Sequence, residues 1–180
     1  MIKKILLGLV AVIALILLYA AFQPSEFRVE RSRTIAASPE ALFAQVNNHR
    51  NFAAWNPWEK MDPTSKTVYS GPESGVGAVA SWAGDKVGEG SATITESKSG
   101  ELVRQRMDWK KPMEGVSTVD FTFEPDGEKT KVTWAMYGEN DYLGKVMSLV
   151  MNCESMCGPP FEQGLADLEK VVTENPKTGE

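Results

Sequence analysis

Residues 115–138 read GVSTVDFTFEPDGEKTKVTWAMYG. Val119, Phe121 and Phe123 alternate with Thr118, Asp120 and Thr122. Val132, Trp134 and Met136 alternate with Thr133 and Ala135. A period of two puts each apolar set on one face of a strand and leaves the other face wetter. Asp126-Gly127 lies between the runs, and this pair adopts the positive φ angles of a tight hairpin. The stretch predicts two antiparallel strands with one buried face.

The same signal recurs toward the N-terminus. KTVYS (66–70), GAVASWAG (77–84), GEGSATITES (88–97) and ELVRQRMDW (101–109) are strand-like runs with glycines between them. FRVERSRTIA, Phe27 to Ala36, alternates as well. Ser38-Pro39-Glu40 is a helix start, with a side-chain cap, proline at the first position and an acid in the first turn. ALFAQV continues that helix to Asn47-Asn48. His49 to Trp55 predicts a second short helix, broken at Asn56-Pro57, with Trp58 in the loop. After Gly138 the period changes. Tyr142 to Cys157 and Phe161 to Val172 read as helices, and Gly158-Pro159-Pro160 should end or bend the first. The order predicts an α+β fold: a curved antiparallel sheet of about seven strands, wrapped on a long C-terminal helix across its concave face.

Lys3 and Lys4 precede ILLGLVAVIALILLYAAF, Ile5 to Phe22, eighteen residues without a charge. At about 1.5 Å per residue that run spans roughly 27 Å, close to a bilayer core. A cleaved signal peptide is the rival. Its apolar core is usually shorter and ends in small residues, whereas Leu18-Tyr19-Ala20 and Tyr19-Ala20-Ala21 each begin with a large one. The reading is an uncleaved, single-pass signal anchor over 1–24, a domain over 25–174 and a tail over 175–180. The two lysines favour a cytoplasmic N-terminus and a domain outside the cytoplasm, in the periplasm of a Gram-negative cell. Arg28, Arg31 and Arg33 beyond the segment weaken that bias.

A net charge of −5 argues against a nucleic-acid partner. The two cysteines form no CxxC and are too few for a disulfide framework. Gly71-Pro72 and Gly75-Val76-Gly77 are turn chemistry, because a phosphate loop needs a following Lys-Ser/Thr and a helix. No cofactor and no metal are expected.

FRVERSRTIAASPEALFAQV, then WNPW, then GPESGVGAVASWAG and GEGSATITE, resemble the SRPBCC superfamily, and within it the polyketide cyclase/dehydrase and lipid-transport group. The resemblance covers roughly Phe27 to Val172. It implies a helix-grip (START/Bet v 1-like) fold with a hydrophobic cavity between sheet and C-terminal helix. Some members bind lipids, sterols or hormones, and some catalyse aromatic-ring cyclisation, so the resemblance implies the fold more strongly than an activity.

Candidate residues come from phase. In MSLVMNCESMCGPPF (147–161), a continuous helix puts Leu143, Val146, Met147, Val150 and Met151 on one side, with Cys157 nearby and Glu154 at its centre. Met156 points away and Cys153 lies at the edge, so the sulfur atoms do not converge as a soft-metal site requires. Cys153 and Cys157 are four apart, adjacent on a helix but in demanding geometry for a disulfide. Met147 and Met151 suit an adaptable pocket wall as well as a core. A carboxylate at Glu154 must reach solvent, pair, or serve a cavity. Arg104 and Arg106 are its candidate partners. They share one face of their strand, and Val103, Gln105, Met107 and Trp109 share the other, apolar and inward one. Trp55, Trp58, Trp82, Trp109 and Trp134 are core or cavity-wall aromatics. His49, the lone histidine, sits in a polar connection and is not read as catalytic.

The cavity set is therefore Trp55, Trp58, Trp82, Gln105, Met107, Trp109, Ser117, Phe121, Trp134, Met136, Met147, Met151 and Glu154. The leading expectation is a membrane-tethered domain that binds a hydrophobic small molecule or lipid, with Gln105, Ser117 and Glu154 orienting a polar head. The alternatives are a cyclase/dehydratase-type enzyme with Glu154 as its acid/base group, and an interaction module with a filled core.

Overall fold

The structure, a computed structural model, describes residues 2–149 and 152–174. α1 (Ile2–Ala21) leads into β1 (Glu26–Ile35), and α2 (Pro39–Val46), α3 (His49–Ala53) and α4 (Pro57–Met61) follow. Then come β2 (Lys66–Ser70), β3 (Val79–Gly84), β4 (Gly88–Lys98), β5 (Leu102–Lys111), β6 (Gly115–Asp126) and β7 (Lys129–Glu139). α5 (Tyr142–Ser148) and α6 (Cys153–Glu174) complete the chain. The seven strands form one curved sheet, every pair antiparallel, in the order β1-β7-β6-β5-β4-β3-β2.

Local chemistry explains the short helices. The Ser38 hydroxyl accepts from the Ala41 N–H and caps α2, with Pro39 at its start. Asn48 caps α3 and Asn56 caps α4 in the same way. The last of these overturns one expectation. Trp58 is not in a loop, because Asn56-Pro57 both stops α3 and starts α4.

A second expectation also fails. Gly158-Pro159-Pro160 does not end a helix; the three residues lie inside α6. The interruption falls earlier, where Asn152 accepts from the Glu154 N–H at 2.9 Å and begins a new helix. Pro159 and Pro160 deprive the carbonyls of Ser155 and Met156 of their helical donors. Both of those residues are exposed. Ion pairs to β1, described below, hold this first part of α6 in place.

α6 packs chiefly on β1 and also reaches β7, α2 and α4. Its buried side, with Phe161, Leu165 and Leu168, closes over the sheet's inward face. Gly164 allows the close approach: a Cβ there would lie 2.8 Å from Trp134 Cζ3. Lys60 Nζ reaches Asp167 Oδ2 at 2.8 Å and ties α4 to α6. Burial pushes the Asp167 carboxyl up, but bonds from Lys60, Lys170 and Gln163 outweigh it and hold the group down at about 2.

Candidate functional site: a trough of small residues on the concave face

Register places the inward-facing residues in transverse rows. One row runs Phe27, Gly138, Ser117, Met107, Ala92 and Ala80 across six strands. Four of the six are glycine, alanine or serine, which makes the row a trough in side-chain height, and Ser117, Ala92 and Ala80 in its floor are buried. At the end of the sheet it is bounded by Trp109, Gly90 and Trp82. The rings of Trp82 and Trp109 meet edge to face at 5.6 Å. Gly90 makes room for them, since a Cβ there would lie 2.6 Å from Trp82 Cζ2. Trp109 Nε1 donates to Ser117 Oγ at 2.9 Å.

On the other side the trough is bounded by Val29, Met136, Val119, Gln105 and Ile94. Gln105 is 3% exposed, and its Nε2 has no hydrogen-bond partner among the described residues. β5 therefore has the orientation expected from its apolar count. Gln105 lies inside, while Arg104 pairs with Asp120 and Glu96 and Arg106 with Asp108. The Asp120 carboxylate, within 2.8 Å, raises the Arg104 pKa.

Beyond that row the concave face is filled. Phe121 and Trp134 lie at 4.8 Å, and Trp134 stacks on Phe161 of α6 at 4.2 Å. Trp55 meets Phe121 and Trp134 edge to face, and Trp58 meets Trp134 and Phe161. The cavity candidates Trp55, Trp58, Phe121 and Trp134 thus pack against one another, and Trp134 Nε1 is buried without a partner among the described residues. Met136, Gln105, Met107, Trp109, Trp82 and Ser117 border the trough. Met147 is half-buried in α5. Met151 lies outside the described residues, as does Val150.

Glu154 is not at the centre of an apolar face. The helix restarts at Cys153, so the phase carried across from Tyr142 does not apply. Its side chain is 49% exposed and pairs with Arg31, not with Arg104 or Arg106. Arg31 Nε also donates to Glu162 at 2.6 Å, and Arg33 Nε to Glu169 at 2.7 Å. The hydrogen bonds that Arg31 donates to Glu154 and Glu162 raise its pKa. Glu154, Glu162 and Glu169 recur about every two turns, which is one stripe of a helix. Arg31 and Arg33 share one face of β1. Both periods were visible in the sequence, and their pairing was the missed signal. The clamp keeps Glu154 at the α6–β1 seam.

The Cys153 and Cys157 thiols are free, with sulfur atoms 3.8 Å apart, and both side chains pack on the core. The bond from Cys157 lowers the Cys153 pKa, and the same bond together with burial raises that of Cys157. Among the described residues no three His, Cys, Asp or Glu side chains are grouped to hold a metal ion. His49 is buried, its Nε2 lies 3.3 Å from the Ala78 carbonyl, and burial lowers its pKa. A cleft of about 280 Å³ opens beside it, lined by Arg50, Tyr69, Ser70 and Glu73 among others. A second cleft, of about 320 Å³, lies between β1 and α6 over Arg31, Arg33 and Glu162. None of the cavity residues expected from sequence lines either cleft.

A curved seven-stranded antiparallel sheet gripping a C-terminal helix, with its concave side turned toward that helix, defines a helix-grip protein. The chain belongs to the polyketide cyclase / dehydrase and lipid transport family, whose model matches residues 26–173. No curated protein matches it. Among solved structures it is similar to a truncated norcoclaurine synthase from Thalictrum flavum, at 13% identity and a TM-score of 0.61, covering 85% of this chain and 97% of that one. It is also similar to the Aha1 dimer from Colwellia psychrerythraea, at 16% identity and a TM-score of 0.59, covering 81% and 96%. Ara h 8.0201 aligns at 12% identity with a TM-score of 0.58, over 83% and 99%. At such identities the likeness establishes the fold.

Proposed function

We propose that this protein is a membrane-tethered domain that binds a hydrophobic small molecule or lipid in the trough between the Trp82–Trp109 pair and Gln105. Gln105 carries the reading. A buried amide donor without an acceptor costs about 1–3 kcal/mol, and this one borders a row of small side chains at the edge of an aromatic core. A cargo with an apolar body and a polar acceptor fits that combination. Its body gains about 0.8 kcal/mol per buried methylene, and its acceptor meets Gln105. The family's description, which includes lipid transport, supports the same class of cargo.

The acid/base alternative loses its group, because Glu154 is half exposed and held by Arg31. α1 supports the tether: it is long and apolar enough to cross a membrane. The division into an anchor over 1–24 and a domain over 25–174, and the extracytoplasmic placement of that domain, belong to the same proposal. Native mass spectrometry of the full chain extracted in detergent tests both halves of it. The expected result is an intact N-terminus and a bound hydrophobic species. A truncated N-terminus overturns the tether, and protein that stays unliganded when offered mixed membrane lipids overturns the cargo.

A further inference from the structure

Several exposed apolar side chains outside α1 lie at the end of the domain where α1 enters it, whereas Met61, Val68, Val76 and Met156 are exposed elsewhere. Tyr142 and Leu143 in α5 are 51% and 59% exposed, and Leu149 just after it is also exposed. Met113 and Val116, at the β5–β6 turn, are exposed too. Register puts that turn beside the start of β1 and the end of β7, since Ser117 and Phe27 both pair with Gly138.

Tyr142 Oη donates to the Leu17 carbonyl at 2.8 Å, so α5 lies against the last turns of α1. Ala20, one turn on, is fully buried, unlike its neighbours in α1. Leu17 is five residues inside the end of the apolar run at Phe22, a depth of roughly 7 Å at about 1.5 Å per residue. If α1 spans a bilayer, all eighteen of its apolar residues are needed to cross the core. Whatever lies beside Leu17 is then just inside the hydrocarbon, below the headgroups. Tyrosine and exposed leucine suit that boundary, and tyrosine is enriched there.

We propose that α5, with the β5–β6 turn beside it, is a bilayer-docking surface that lies at the headgroup–acyl boundary of the membrane α1 crosses. This rests on the reading of α1 as a membrane anchor. The occupant is lipid and not a second copy of the chain, because the depth of Leu17 fixes the medium around α5, whereas nothing fixes a neighbouring protein there. An amphipathic segment of this kind binds an interface through the apolar area it buries. Docking would set the domain's orientation, with the trough's end of the sheet toward the bilayer.

The full chain is reconstituted in vesicles of phosphatidylethanolamine and phosphatidylglycerol with a small share of phospholipid carrying a diazirine in its acyl chain. After irradiation, labelled peptides are mapped by mass spectrometry. The β6–β7 turn, Asp126–Lys129, is at the opposite end of the sheet and serves as the internal control. The expected result is label in α1 and about tenfold more label in residues 142–149 than in that turn, since only groups in the interface meet the carbene. Leu143→Glu, at an exposed site, should cut the label in α5 several-fold and leave that in α1 unchanged. Label in α1 with α5 at the control level overturns the docking surface, and so does an unchanged α5 signal in Leu143→Glu. If α1 itself is unlabelled, the anchor reading falls and the docking surface with it.

Discussion

Two halves of one concave face, joined by the same strands, are built for different purposes. The half holding Trp134, Phe121 and Phe161 is stacked solid, with ring centroids 4.2 to 4.8 Å apart. The half holding Ala80, Ala92, Ser117 and Gly138 presents small side chains and borders Gln105, whose amide donor, like the Trp134 indole N–H of the first half, has no partner among the described residues. The first has the features of a stability core, the second those of a site. Under the proposed reading, core and site are separated along the strands, with Gln105 at the boundary.

Substitutions can break or sharpen this division. The largest expected effect is in the solid half. Trp134→Ala should cost about 3–5 kcal/mol in urea unfolding, as large-to-small changes in filled cores do. Trp82→Ala, at the half-exposed end of the trough, should cost much less. Equal costs would remove the distinction. Next is Gly164→Ala. Its Cβ would lie 2.8 Å from Trp134 Cζ3, and such overpacking costs about 1–3 kcal/mol. A neutral Gly164→Ala would mean that α6 does not press on Trp134.

Gln105→Leu should reverse the usual sign. Removing a buried donor that lacks an acceptor should leave stability unchanged or raise it by up to about 1 kcal/mol, while affinity for a cargo with a polar end falls. A strong loss of stability would mean that Gln105 is structural.

The smallest effect is one of pH. Burial holds the His49 pKa below its ordinary 6.5, so the folded state keeps the imidazole neutral while the unfolded state protonates. Stability should therefore be flat above about pH 6.5 and fall as the pH drops below it, until the folded-state pKa is reached. His49→Gln should remove that slope between pH 5 and 6.5. His49 is the only histidine, and Asp62 and Asp167, both held down at about 2, contribute only at more acid pH.

Most of the fold was legible in the sequence. Alternation located all seven strands, and it turned Gln105 inward and Arg104 and Arg106 outward. The C-terminal region was misread because Gly158-Pro159-Pro160 looks like a stronger break than the single residue Asn152. Sequence shows the missing donors of two prolines, but not that the affected residues are exposed or that Arg31 and Arg33 clamp the helix through Glu154, Glu162 and Glu169. The same limit applied to the site. Period two says which side chains face inward; it does not say which rows they share. Ala80, Ala92, Ser117 and Gly138 lie on four strands, and only the pairing register brings them into one row. Trp55, Trp58, Phe121 and Trp134 were legible as aromatics facing inward, but not as rings that fill one another's space.

The division between the halves is tested most directly by ligand occupancy in a protein whose trough has been filled. Ala92→Phe places a ring between Ala80 and Met107, away from the Trp134 stack. Native mass spectrometry of the full chain, wild type and Ala92→Phe side by side, reads the bound hydrophobic species in each. The expected result is a clear adduct in the wild type and its loss in the variant, with the fold intact by circular dichroism. An adduct of equal occupancy in both proteins would contradict the assignment and move the site elsewhere on the molecule.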